Sequence, residues 1–120
     1  MATRVLVWHI PGVLSNNVVG NNVSTEYVLD DDYTAKRVIL RQKVAQDGDS
    51  TIVDINDDGA SLFTLRPGIS QGLLSTEWNV FADPRVVLKK DSVITLDVDQ
   101  VSGTTPGSGL TVSLELDKAD

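Results

Sequence analysis

The sequence has no cysteine, a single histidine (His9), few aromatic residues and no long apolar run. Without cysteine there is no disulfide framework and no thiolate metal centre, so stability must come from packing or assembly. With one histidine, imidazole chemistry runs through His9 or not at all. No Ser or Asp motif flanks it, and a packed or interface histidine is the plainer reading. No stretch approaches the roughly 20 apolar residues of a membrane span. Pro11-Gly12 cuts the first apolar run below the length of a signal-peptide core, which points to synthesis in the cytoplasm. Cations are scarce: ten Lys and Arg face 17 Asp and Glu, a net charge of −7. That balance argues against nucleic acid and anionic membranes as partners. Gly103, Gly107 and Gly109 have neither the spacing nor the following helix of a phosphate loop.

What the 120 residues do contain is a period-two pattern with 41% hydrophobic content, enough for one domain with a single core. The centre of the pattern is 51–63, where two β-branched runs flank Asp58-Gly59, a hairpin signal. Around it, residues 3–10, 26–29, 76–81 and 85–89 read as strands. Residues 92–101 and 110–116 alternate most cleanly and read as a closing hairpin across the loop 102–109. Over 33–45 helix formers compete, but Val38, Leu40, Gln42 and Val44 alternate with Arg37, Ile39, Arg41 and Lys43. A long strand with a basic outer face follows. The Asn-rich stretch 15–24 reads as a loop able to order on a partner. About eight short strands and no helix predict an all-β fold, an antiparallel β-sandwich of jelly-roll-like type.

Candidate chemistry is thin. Asp54, Asn56, Asp58 and Gly59 match the first half of a calcium loop, with oxygen ligands at alternate positions. The twelfth position is Leu65 instead of an acid, and an Asp/Asn-rich turn accounts for the same residues. Asp30-Asp31-Asp32 reads as a solvated turn. Paired acids for glycoside cleavage need a cleft of defined separation, and Asp97 and Asp99 lie on an outward strand face. Trp8 and Trp78 have the chemistry to stack on sugar rings, although a buried Trp is the commoner fate. Lys36, Arg37, Arg41 and Lys43 form a basic row on an acidic chain, which suits complementary contacts in an assembly; a solvated strand face is the plain alternative.

Several phrases together resemble a small β-sandwich domain of tailed-bacteriophage structural proteins. They are Trp8-His9-Ile10-Pro11-Gly12, Tyr33-Thr34 leading into Arg37-Val38-Ile39-Leu40, and the run from Ile52 to Phe63. The run from Asp91 to Val101 and Thr105-Pro106-Gly107 complete them. The similarity spans nearly the whole chain. It implies a non-enzymatic virion protein with no cofactor, most simply a capsid decoration (cement) protein. Its partner would be the major capsid protein or another virion protein, and it would form a homo-oligomer, a trimer above all, on the capsid surface. The alternative it implies is a tail, baseplate or fibre module that binds host surface glycan. The residues expected at an interface are Trp8, His9, Lys36, Arg37, Arg41 and Lys43.

Overall fold

The computed structural model describes residues 3–14, 25–83 and 85–119. Two antiparallel sheets face one another, and no described residue is helical. Sheet A is ordered β1 (Thr3–Val13), β9 (Ser108–Lys118), β3 (Tyr33–Arg41), β7 (Ser75–Trp78). Sheet B is ordered β2 (Tyr27–Val28), β8 (Val93–Gln100), β4 (Thr51–Asp57), β5 (Ala60–Ser61), and β6 (Gly68–Ile69) also pairs with β4. Apart from β6, this alternation between two four-stranded sheets is the jelly-roll arrangement.

The core is made by inward-facing alternation. Leu6, Trp8 and Ile10 of β1, Val38 and Leu40 of β3, and Leu110, Val112, Leu114 and Leu116 of β9 are buried from sheet A. Val53 and Ile55 of β4 with Ile94, Leu96 and Val98 of β8 close it from sheet B. Bulges keep that pattern in phase. Ala35 lies opposite Leu116 and Arg37 opposite Glu115, so Lys36 is the extra residue. The bulge switches the inward set from Tyr33 and Ala35 to Val38 and Leu40, an effect that unbroken alternation cannot give. At the central turn Asp58 and Gly59 both have positive φ, 50° and 87°, as a type I′ hairpin requires.

One end of the sandwich is closed by polar groups. Gln42 is buried where strand alternation calls for an apolar side chain. Its amide donates to Gln46 Oε1 at 2.6 Å, Gln46 donates to the Ile69 carbonyl at 2.7 Å, and Thr51 donates to Gln42 Oε1 at 3.1 Å. These hydrogen bonds give the buried Gln42, Gln46 and Thr51 side chains partners, so the network ties the end of β3 to β4 and β6 at a reduced desolvation cost.

Several expectations are corrected. Residues 93–100 and 108–118 are strands, yet they form no hairpin: β8 pairs with β2 and β4, while β9 pairs with β1 and β3. The connecting loop crosses from one sheet to the other. β1 runs on through Pro11-Gly12 by a break in register, which an edge strand tolerates because the proline needs no donor there. β3 stops at Arg41, and Val44 is 57% exposed. Residues 85–89 form no strand; Leu88 alone bridges to Tyr33. The stretch 15–24 lies outside the described residues.

Candidate functional site

The outward face of sheet A is built in cross-strand rows. His9 lies opposite Thr111, Thr111 opposite Arg41, and Arg41 opposite Ser75. The next row runs Val7, Ser113, Ile39, Glu77, and the one after it Val5, Glu115, Arg37. Val5 and Val7 are 49% and 44% exposed. The face therefore has exposed valines along its β1 edge, small hydroxyls on β9 between them and Ile39, and charged side chains on β3, β7 and β9. His9 Nδ1 and Thr111 Oγ1 are hydrogen-bonded at 2.8 Å, which fixes the ring on this face.

The expected basic row is divided by the structure. Arg37 is not available to a partner in the way its charge suggests. Its Nε donates to Glu115 Oε2 at 2.5 Å and its Nη1 to Glu77 Oε1 at 3.0 Å. Those hydrogen bonds, that of Glu115 first, raise the guanidinium above its ordinary pKa. Lys36 sits on the bulge and leaves the row. Arg41 stays exposed opposite Thr111, in the row of His9, and Lys43 is exposed with its side chain over Gly109. Trp8 is corrected outright: it is 1% exposed and inside the core, with its ring N–H donating to the Thr25 carbonyl at 2.5 Å. Tyr27 meets it edge-on, with ring centroids 5.3 Å apart. A residue so placed offers no surface to a partner or a sugar.

The opposite face, on sheet B, is acidic and partly covered. Asp54 and Asp97 are directly opposed on β4 and β8, an arrangement that repels unless donors intervene. Ser61 Oγ donates to Asp54 Oδ1 at 2.5 Å and Asn56 Nδ2 to Asp97 Oδ2 at 2.7 Å. Arg66 Nε lies 3.3 Å from Asp54 Oδ2 and 3.1 Å from Asp99 Oδ2. Asp97 is consequently buried, contrary to the expectation of a solvated charge. Burial pushes the Asp99 carboxyl up; Arg66 draws it down, and Asp54 and Asp97 raise it further.

The calcium-like run folds as a strand, which separates its members. Asp54 and Asn56 are committed to Ser61 and Asp97, and Asp58 Oδ1 accepts the Val93 N–H at 2.8 Å. Among the described residues no group of three or more His, Asp or Glu is placed to hold a metal ion. Trp78 is half-buried against the core and lines a shallow groove of about 190 Å³ with Leu65, Arg66, Ser50 and Ser70. Sequence reasoning missed Arg66, whose role depends on a loop folding across two carboxylates, Asp54 and Asp99. It also missed Val5 and Val7, since alternation alone does not tell which face stays open. No family model matches the chain, and no curated protein matches it.

Proposed function

We propose that this chain is a non-enzymatic virion structural protein of a tailed bacteriophage, a capsid decoration protein that docks through the outer face of sheet A. The observation that carries the docking surface is the exposed Val5 and Val7 on the edge strand β1, with Ser113 between Val7 and the half-buried Ile39, and His9, Thr111 and Arg41 in the adjoining row. Exposed apolar side chains next to polar and charged ones are a feature of protein-binding surfaces. Arg41 and Lys43 supply positive charge on a chain of net −7, which suits an acidic partner surface. The phage identity rests on the sequence resemblance. Saturable co-sedimentation of the purified protein with undecorated capsids, at a fixed ratio to the capsid subunit, tests the reading; absence of pelleting at every salt concentration removes it.

A second reading, a tail module binding host glycan, is favoured by the groove beside Trp78, where indole, Arg66 and two serine hydroxyls converge. Trp8 no longer supports it. Quenching of Trp fluorescence by added sugars, lost in Trp78→Phe, would establish this reading over the first.

A further inference from the structure

At the far end of β4, an acid occupies a position that faces the core. Val53 and Ile55 are fully buried, and Asp57 follows them at the same period-two spacing. One of its carboxylate oxygens, Oδ1, is buried without a hydrogen-bond partner among the described residues. Burial raises the carboxyl above its ordinary pKa; a hydrogen bond with Ser92 opposes this, and the charge of Asp58 adds to it. Asp57 lines a cavity of about 180 Å³ together with Asp83, Leu62, Val86 and Leu88. Asp83 already accepts the Arg85 N–H at 3.0 Å through Oδ1, which fixes its carboxylate at the cavity wall.

The chemistry of the walls defines the occupant. Desolvating a carboxylate is costly, and a cation seated beside it offsets that cost. Two acids and Ser61 on a largely aliphatic wall select a cation with an apolar body. The volume lies below the roughly 300–1,000 Å³ of sites for drug-sized ligands, so the occupant is about the size of one side chain. An ammonium is a compact charge on a thin aliphatic stem, whereas a guanidinium is broad and planar and asks for a forked acceptor.

We infer that this cavity binds a primary alkylammonium group of lysine side-chain size, its charge at Asp57 and its methylenes against Leu62, Val86 and Leu88. Asp83 adds a second negative charge to the wall. The site belongs to sheet B and residues 82–83 and 86–88, apart from the face of sheet A, and it stands independently of the docking proposal.

The test is a titration of the ¹⁵N-labelled full chain at neutral pH with n-butylammonium chloride, and in parallel with n-butanol. Saturable shifts of the Asp57, Leu62 and Leu88 amides are expected, with the amine at least about tenfold tighter than the alcohol. Asp57→Asn should remove that preference. Equal affinity for amine and alcohol, no saturable shift with the amine, or an unchanged preference in Asp57→Asn would overturn the inference. The amine–alcohol comparison on the unaltered chain decides the matter if the variant does not fold. Nα-acetyl-lysine methylamide separates the sources: shifts at the same amides assign a lysine of a partner protein, and binding of n-butylammonium alone assigns a small free amine.

Discussion

Arg37 on β3 grips Glu115 on β9 at 2.5 Å, and the same guanidinium reaches Glu77 on β7 at 3.0 Å. Glu115 is directly opposite Arg37, and Glu77 is one pair along, opposite Ile39. One cation thus ties three strands across the outer face of sheet A. Its charge is spent inside the protomer, so Arg41 and Lys43 carry the positive character of this face.

The tie should weaken with salt. Arg37→Met and Glu115→Gln each lower the thermal midpoint in dilute buffer, and the double variant lowers it by less than their sum. The coupling shrinks in 1 M salt, where the screening length is about 3 Å, because the pair is partly exposed. Thermal melts of the four proteins at two salt concentrations measure it.

The buried glutamine network predicts a sharper effect. A Cβ added at Gly107 would lie 2.3 Å from Gln42 Oε1 and 2.9 Å from the Val44 carbonyl oxygen. Gly107→Ala therefore has to displace Gln42 from Gln46 and Thr51, and should destabilise by about 1–3 kcal/mol in urea unfolding. At Gly59 nothing lies within 4 Å of the added Cβ, yet φ is +87°. Gly59→Ala should cost about 1 kcal/mol from backbone strain alone. A larger loss at Gly59 than at Gly107 would contradict this ranking.

Two pairs of acids pull stability in opposite directions with pH. The Tyr33 hydroxyl, first of all, and Arg4 hold Asp30 below its ordinary value; the Asp32 N–H, then Lys118, do the same for Asp31. A depressed folded pKa gives stability that is present above the unfolded value of about 3.9 and is lost as pH falls through the folded one. Asp57 and Asp99 are raised, mainly by burial. Their ionised forms penalise the fold at neutral pH, and the penalty fades as pH falls toward about 4. Asp57→Asn should accordingly raise the melting temperature at pH 7 and lose that advantage near pH 4. A gain that is the same at both pH values would show that ionisation is not the cause.

The strand content was legible because Ile94, Leu96 and Val98, and Leu110, Val112, Leu114 and Leu116, alternate without interruption, and because Asp58-Gly59 has the backbone freedom of its turn. Partnership between strands was not legible. β8 and β9 are adjacent in sequence and equally regular, yet they belong to opposite sheets, since the loop 101–107 is long enough to cross the sandwich. The parity switch at Lys36 also escaped notice, because a bulge leaves no compositional mark. At the candidate face, His9 was expected from its place on the N-terminal strand and Arg41 from the basic row, and both lie exposed on the outer side of sheet A. Trp8 was misjudged because a lone Trp on an alternating strand looks the same from sequence whichever side faces the core.

The most direct measurement compares two charge insertions in capsid co-sedimentation. Val7→Glu places a carboxylate among the exposed valines of β1 on the sheet A face, and Thr95→Glu places one on the face of sheet B. Both proteins are first shown to melt cooperatively. Loss of pelleting in Val7→Glu by at least about tenfold in affinity, with Thr95→Glu pelleting like the unaltered chain, is the predicted result. Undiminished pelleting of Val7→Glu, or loss confined to Thr95→Glu, would contradict docking through β1, β9 and β3.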